Sequence, residues 1–235
     1  MEDQNLLSKN DKPPVIDAVR AIGLIKPRFN QNQQGFLPPQ LEIKGTAFLL
    51  KEYRTIITCA HVIQDFINSP VEISGMLVMG RLEKYSAVSI DCIDFAHDLA
   101  TLRFKKNPNI TDEAFKTILD NEFLTGLEIV NQNSPVSTKV AYAGYPYGTQ
   151  LLNQRHDPTY SNGVVGVELC KSVTRKEIRI MGPVVGGFSG SPIVVENDHR
   201  KVLGVVSNGP LKTNANIFMG ISWEHVKAIA KLSQS

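Results

Sequence analysis

The chain of 235 residues is long enough to bury a substantial core, and 42% of its residues are hydrophobic. Its 25 basic and 23 acidic residues almost balance, and the basic pairs are scattered, which argues against a nucleic-acid partner. No stretch is long and apolar enough to cross a membrane, and the polar residues 1–14 lack the apolar core of a secretory signal. We therefore expect a cytoplasmic protein with no membrane span.

Short runs of strand-forming residues, separated by Gly, Pro, Asn and Asp, dominate the sequence. They fall into two sets of six, which predicts an all-β fold of two six-stranded barrels. The predicted strands cover residues 15–25, 41–50, 54–58, 71–79, 87–95 and 99–104, then 136–143, 163–169, 177–181, 192–195, 202–207 and 216–221.

The remaining segments divide the chain into a flexible start at 1–14, a first barrel at 15–110, a linker at 111–135 and a second barrel at 136–221. Residues 27–39, rich in Gln and Asn, predict a loop. Two stretches have helical spacing. A linker helix within 111–127, expected to pack across the barrel interface, has the apolar stripe Ala114, Phe115, Ile118 and Leu119. A C-terminal helix at 222–233 has Ser222 as its predicted N-cap and the stripe Trp223, Val226, Ile229 and Ala230.

A serine lies in a glycine-rich turn in the second half of the chain, where residues 186–192 read GGFSGSP. Glycines allow backbone conformations closed to other residues and let a substrate carbonyl approach a hydroxyl nucleophile. Ser189 is therefore the candidate nucleophile. Ser191 is the alternative hydroxyl, for which a packing or hydrogen-bonding role is expected.

A histidine and an aspartate precede this serine, in TCAHVI at 58–63 and HDLATL at 97–102. The order His61, Asp98, Ser189 is one of the known chain orders of the Ser-His-Asp triad, whereas α/β-hydrolase esterases have the order Ser, Asp, His. Asp91 and Asp94 are competing acids. We prefer Asp98 because a buried strand is predicted to follow it directly, while the other two are typical of surface charges at strand edges.

From Gly45 to the last helix, the sequence resembles the trypsin-like serine peptidases, in particular the bacterial branch with the high-temperature-requirement proteases and glutamyl endopeptidases. The resemblance rests on GTAFL at 45–49, AYAGYPYG at 141–148, SNGVVG at 161–166 and the histidine, aspartate and serine segments. It implies two antiparallel Greek-key barrels of the chymotrypsin type. It also implies a serine endopeptidase for protein or peptide substrates that needs no cofactor. No PDZ-like segment follows the last helix.

The resemblance also implies a role for each site residue. Ser189 would be the nucleophile, His61 the general base and then the general acid, and Asp98 the group that orients His61. The backbone N–H groups of Gly187 and Ser189 would form the oxyanion hole. The specificity pocket would be lined by Pro183, Val184, Val206, Ser207, Asn208, Gly209 and Gly220.

None of these pocket residues has a carboxylate, so cleavage after Arg or Lys is not expected. Glutamyl relatives place His and a hydroxyl residue where this chain has Val206 and Val184, which also argues against Glu. A small or medium apolar P1 residue remains. Backbone groups of residues 207–209 would bind an extended substrate as an added strand.

The other chemically reactive residues predict structural roles. Cysteines at 59, 92 and 170 fit reduced, buried thiols better than a disulfide frame, and Cys59 is expected in the core. His97 is expected to be structural. His156, His199 and His225 read as surface or packing residues, and no metal site is expected because no two histidines have metal-ligand spacing.

Phe188 stands where the digestive enzymes carry the Asp that receives a newly cut N-terminus, so we expect no activation by propeptide cleavage. The Gly186-Gly187 pair would let a regulatory protein partner order the turn. The alternative is a catalytically silent protease fold that serves as a binding or scaffold module. The physiological substrate, oligomeric state and pathway stay open.

Overall fold

Two antiparallel barrels make up most of the structure, a computed structural model that describes residues 12–30, 35–69, 73–80, 85–132, 135–148, 157–171, 176–208 and 216–234. Within these ranges the first half contains α1 (Pro14–Ala18), β1 (Val19–Asn30), β2 (Gly35–Leu50), β3 (Thr55–Thr58), a 3-10 helix (Ala60–Ile63), α2 (Gln64–Asn68), β4 (Gly75–Met79), β5 (Tyr85–Asp94) and β6 (Leu99–Phe104). The second half contains α3 (Asp112–Phe123), β7 (Glu128–Ile129), β8 (Lys139–Gly144), β9 (Thr159–Lys171), β10 (Lys176–Met181), β11 (Pro192–Val195), β12 (Asp198–Asn208), β13 (Ile217–Ser222) and α4 (Trp223–Leu232).

The strand order confirms the predicted all-β fold with two six-stranded barrels. In the first barrel the order β1-β2-β3-β6-β5-β4 closes on itself, because β1 pairs with both β2 and β4. In the second, β8-β9-β10-β13-β12-β11 closes because β11 pairs with both β12 and β8. The short strand β7, which the sequence did not predict, adds in parallel to β12 as a seventh strand of the second sheet.

Two hydrophobic clusters fill the structure. The larger contains the interior of the first barrel, residues of the second barrel that face it, and the buried side of α4. The smaller lies inside the second barrel, where Tyr142 packs edge-on against Phe218 and Phe188, with ring centroids 5.0 and 5.6 Å apart. Phe188, next to the candidate nucleophile, is therefore part of the core that holds the serine turn in place.

Two predictions for the first barrel were wrong in detail. Residues 15–18, predicted as strand, form the helical turn α1, in which Val15 and Ala18 are buried. Residues 27–39, predicted as a loop, mostly belong to a long hairpin, because β1 and β2 continue to pair as far as Asn30 and Gly35. Antiparallel pairing satisfies backbone groups even where polar side chains give no strand pattern. Residues 31–34 at its tip, like 70–72 of the predicted fourth strand, lie outside the described residues.

The linker helix α3 packs on the first barrel, whereas the sequence predicted that it crosses the barrel interface. Thr111 caps its start, accepting the N–H of Ala114 at 3.2 Å. Of the predicted buried stripe, Ala114 and Ile118 are exposed, whereas Phe115 and Leu119 are half-buried. The helix meets the core through Leu119 and through buried Phe123, which packs edge-on against Phe104 with centroids 5.9 Å apart.

The C-terminal helix α4 bridges the two barrels, in contact with β3, β5 and β6 of the first and with β12 and β13 of the second. Val226, Ile229 and Ala230 are buried as predicted, and Trp223 is half-buried. Ser222 occupies the N-cap position, as predicted, but its hydroxyl makes no capping hydrogen bond. No helix within the described ranges has the length and apolarity to span a bilayer.

Candidate active site

The pairing of β3 with β6 brings His61 and Asp98 together. These strands are antiparallel, with Thr58 opposite Ala100, so the end of β3 lies beside the start of β6. His61 follows the end of β3 on the 3-10 helix, and Asp98 immediately precedes β6. Two residues far apart in sequence therefore meet at one edge of the first barrel.

The carboxylate of Asp98 holds the imidazole of His61. The Nδ1 of His61 lies 2.8 Å from Oδ2 and 3.0 Å from Oδ1 of Asp98, and the backbone N–H of His61 donates to Oδ1 at 3.0 Å. The Asp98 carbonyl also accepts the N–H of Ala60 at 3.1 Å. Asp98 has a positive φ of 56°, a conformation that Asp adopts more readily than most residues.

The electrostatics of Asp98 favour its ionised form. Burial alone would raise the pKa of this carboxyl, but hydrogen bonds from His61 and Ser207 outweigh burial and place the pKa below its ordinary value. An ionised carboxylate can only accept hydrogen bonds, so Nδ1 of His61 must carry the proton between them. The other imidazole nitrogen, Nε2, is then the basic one in the neutral ring.

Ser207 is a site residue whose side-chain role was not predicted from the sequence. Its hydroxyl donates to Oδ2 of Asp98 at 2.6 Å, although the residue belongs to the other barrel. The β12 to β13 pairing shifts register between Val206 and Asn208, so Ser207 lies in a bulge, which changes the direction of its side chain. The signal in the sequence, a serine in an otherwise apolar run, gave no indication of this bulge.

The candidate nucleophile sits in a turn that two glycines make possible. Gly187 and Gly190 have φ values of 98° and 87°, where other residues are strained. A side chain at Gly190 would also lie 1.9 Å from the carbonyl oxygen of Thr46, and one at Gly187 would lie 2.3 Å from that of Tyr145. The turn therefore fits closely against the first barrel.

The hydroxyl of Ser189 donates to the carbonyl of Ser207 at 3.0 Å. Among the described residues, no hydrogen bond joins Ser189 to His61. Ser207 therefore connects the serine to the His61–Asp98 pair, through its carbonyl on one side and its hydroxyl on the other.

Two backbone N–H groups of the turn point away from its internal hydrogen bonds. The carbonyl of Gly186 accepts the N–H of Tyr147 at 2.7 Å, and that of Phe188 accepts the N–H of Ser191 at 2.8 Å. Because C=O and N–H of a trans peptide point in opposite directions, the N–H groups of Gly187 and Ser189 face the other way. Within the described ranges neither donates to another group, so both are available to an incoming oxygen.

The predicted specificity residues lie on both sides of this turn. Val184, Val206, Ser207 and Gly220 are buried, and Pro183 is exposed. The hydroxyl of Tyr142 donates to the carbonyl of Pro183 at 2.6 Å and so fixes the backbone there. Asn208 is the last residue of β12, and Gly209 lies outside the described residues.

The comparison with known families covers most of this site. The sequence matches the family described as "Trypsin-like peptidase domain" over residues 45–205, which is more than half of the chain. The chain belongs to this family. Membership classes it with the hydrolases of the serine endopeptidase type, as the sequence predicted. The matched range includes His61, Asp98 and Ser189 and ends just before Ser207.

Solved structures support the same fold. A structure described as "HtrA-type protease AlgW with decapeptide" is similar with a TM-score of 0.70 and 13% sequence identity, and the match covers 94% of this chain. This chain spans 66% of the length of that protein. In all, 535 solved chains are similar, and no curated protein matches the sequence.

The competing acids are engaged elsewhere. Asp91 pairs with Arg103 at 2.8 Å, and Asp94 pairs with Nδ1 of His97 at 2.6 Å. Of the described carboxylates, only that of Asp98 is bonded to His61.

The other histidines have structural contacts. His97 lies in the turn before Asp98, not on a strand, and its ring stacks on that of His225 with centroids 4.0 Å apart. His225 accepts the N–H of Lys176 at 2.9 Å, and His199 lies 3.0 Å from the Tyr160 hydroxyl. His156 lies outside the described residues.

The remaining hydroxyl and thiol candidates are mostly buried. Ser191 is fully buried, and its hydroxyl has no partner within the described part of the chain. Cys59 is fully buried and its Sγ donates to the carbonyl of Val206 at 3.2 Å, while Cys92 is only half-buried, contrary to expectation. The side chain of Cys170 lies outside the described part.

One group of side chains, Cys59, His61 and Asp98, has ligand-capable atoms within 4.8 Å of one another. Sequence spacing did not reveal it, because its members lie beside the ends of two different strands, β3 and β6. All three are already engaged in the hydrogen bonds described above, and His61 and Asp98 bind each other directly.

Proposed function

We propose that the chain is a serine endopeptidase that cleaves peptide bonds through an acyl-enzyme, with Ser189 as nucleophile and His61 as general base. The observation that carries the proposal is the hydrogen bond that Nδ1 of His61 donates to the ionised carboxylate of Asp98, while the His61 side chain stays 41% exposed. This combination fixes the imidazole tautomer while it leaves the ring accessible to substrate.

In the first step, Nε2 of His61 takes the proton of the Ser189 hydroxyl as Oγ attacks the substrate carbonyl. The N–H groups of Gly187 and Ser189 donate to the resulting oxyanion, and Asp98 stabilises the imidazolium. His61 then passes the proton to the leaving amine as the C–N bond breaks. Water, activated in the same way, hydrolyses the ester on Ser189 and releases the acid product.

This mechanism requires one rearrangement. The Ser189 hydroxyl, bonded to the Ser207 carbonyl, must turn toward His61 before it can lose its proton. The serine turn itself already has both oxyanion donors available. We therefore place the regulated step at the rotation of Ser189, and we propose that a bound substrate or a regulatory protein partner promotes it.

The proposed substrate class rests on the residue types beside the serine turn. Val184, Val206 and Gly220 are apolar or small, buried and uncharged, and a site without a charged group favours a small or medium apolar P1 side chain over Arg, Lys or Glu. The end of β12 next to Ser207 offers backbone groups with which an extended peptide can pair as an added strand.

A fluorophosphonate probe tests the proposed catalysis, because it reacts only with a serine that a general base activates. We expect the wild-type protein to be labelled, and Ser189→Ala and His61→Ala to remain unlabelled. Ser191→Ala is the matched control, since it removes a neighbouring buried hydroxyl without a partner in the described structure, and it should be labelled like the wild type.

The alternative function, a catalytically silent binding module, predicts a different result. It is supported by the bond of Ser189 to Ser207, which keeps the hydroxyl away from His61. Wild-type protein that stays unlabelled with a peptide substrate, and also in a cell extract that supplies protein partners, would support this alternative. If labelling occurs, comparison of new N-termini in cells with active protein or Ser189→Ala identifies the substrates, and apolar residues should precede the cuts.

A further inference from the structure

Thr46 connects the first barrel to the serine turn of the second. It lies on β2, is fully buried, and uses every polar atom it has. Its N–H donates to the carbonyl of Ser189 at 2.9 Å, and its carbonyl accepts the hydroxyl of Thr58 at 2.8 Å. Its own hydroxyl donates to the carbonyl of Gly187 at 2.8 Å and accepts the N–H of Tyr145 at 2.9 Å.

The direction of these hydroxyl bonds is fixed. The N–H of Tyr145 can only donate, so the Thr46 oxygen accepts there, and its single proton is directed at the carbonyl of Gly187. Thr46 itself is completely buried, which shields its hydroxyl from solvent. The carbonyl of Gly187 is therefore held by a specific, directional bond.

The peptide group that Thr46 holds lies between the two oxyanion donors. The Gly187 N–H belongs to the peptide before it, and the Ser189 N–H to the peptide after it. If the peptide between Gly187 and Phe188 rotated, it would carry one or both N–H groups away from the oxyanion position. Glycine resists such a rotation least of all residues, and the Phe188 N–H is held only by a longer bond, 3.3 Å to the carbonyl of Val185.

We propose that Thr46 is a positioning residue for the oxyanion hole, which fixes the Gly187 peptide through its hydroxyl and so keeps both N–H donors aimed at the substrate oxygen. The inference rests on the proposed function, because only an acyl-transfer reaction uses these donors. Thr46 touches neither substrate nor reacting atoms. It acts by holding the serine turn in place. Thr46 belongs to the first barrel, whereas both N–H donors belong to the second barrel.

The test measures the rate of fluorophosphonate labelling as a function of pH for Thr46→Val and Thr46→Ser. Thr46→Val keeps the shape and removes the hydroxyl, and we expect a plateau rate at least about tenfold below wild type. The pH at which labelling reaches half of its plateau rate should stay unchanged. Thr46→Ser retains the hydroxyl and should restore most of the rate. Thr55→Val is the matched control, because Thr55 is also buried in the first barrel and donates to Leu102 at 3.4 Å, away from the turn.

The outcomes separate this inference from the proposed function. Wild-type protein that is never labelled would overturn the proposed function, and Thr46 would lose its role with it. Labelled wild type with an equally fast Thr46→Val, or with Thr46→Ser as slow as Thr46→Val, would overturn the role of Thr46 alone. A Thr55→Val rate as low as that of Thr46→Val would show a general effect of lost buried hydroxyls. If Thr46→Val does not fold, Thr46→Ala replaces it with the same expected loss.

Discussion

The Ser207 hydroxyl donates a hydrogen bond of 2.6 Å to Oδ2 of Asp98. A hydrogen bond from the second barrel thus stabilises the ionised carboxylate of Asp98 in the first barrel. This is the form of Asp98 that accepts the hydrogen bond from His61. The same residue accepts the Ser189 hydroxyl at its carbonyl, so its side chain supports the pair while its backbone holds the nucleophile at rest.

Ser207→Ala should slow fluorophosphonate labelling by roughly tenfold, since a hydrogen bond to a charged group contributes about 1.5–3 kcal/mol. The hydrogen bond from Ser207 lowers the pKa of Asp98, so its removal should raise that pKa. Protonation of Asp98 on acidification would then begin at higher pH, and the acid side of the labelling profile should shift upward. An acid limb identical to that of the wild type would contradict this role.

Gly190→Ala should destabilise the protein by at least about 2 kcal/mol, because it combines a positive φ with a clash against the Thr46 carbonyl oxygen. Labelling of Ser189 should fall with it. Gly186→Ala is the matched control in the same turn, since an added methyl group there meets no atom within 4 Å. Urea unfolding of both variants is the measurement, and equal free energies of unfolding would refute the strain at Gly190.

His225 should make the protein less stable as the pH falls below about 6.5. Burial lowers its pKa, and the neighbouring His97 lowers it further, while Glu224 and Asp94 oppose the shift and Lys176 reinforces it. The unfolded chain therefore binds a proton that the folded protein resists, so stability is present above the ordinary pKa and is lost as the pH drops.

Urea unfolding at pH 8, 6.5 and 5 measures this dependence. His225→Gln keeps an acceptor for the N–H of Lys176 but cannot titrate, so its free energy of unfolding should change less over this range. A variant that loses stability as steeply as the wild type would assign the pH dependence to other groups.

Arg20→Met should cost about 3 kcal/mol of stability, because Arg20 is buried and anchors α3 through a 2.8 Å ion pair with Glu122. Its loss removes the ion pair of the half-buried Glu122 carboxylate and the hydrogen bonds that Arg20 donates to the carbonyls of Asp17 and Val19. Arg54→Met is the control, since the Arg54–Asp120 pair is about half exposed and should contribute less than about 1 kcal/mol. Similar losses of unfolding free energy in both variants would contradict this difference.

The sequence predicted the two barrels well because strand patterns are local. Strand periodicity predicted the first and last residues of β6 and β11 correctly. Asp98 is the preferred acid because β6 follows it directly. The role of the Ser207 side chain was missed because it depends on a register shift between β12 and β13, which no local pattern encodes.

Helical periodicity predicted which face of α3 is apolar, but not how far the barrel would cover it. The helix touches the core through Leu119 and Phe123, whereas Ile118, in the same predicted stripe, stays 48% exposed. Likewise, the contacts of Thr46 with Gly187 join residues 141 positions apart, and only the closed fold brings them together.

The division of the site between two barrels also sets when it can form during synthesis. His61, Asp98 and Thr46 emerge from the ribosome long before Ser189 and Ser207, and the strand β13 and helix α4 that complete and clamp the second barrel follow these serines. Under the proposed mechanism, a growing chain therefore has a base without a nucleophile. Peptidase activity would then arise only after the second barrel has been made, which would protect the nascent chain and the proteins around it.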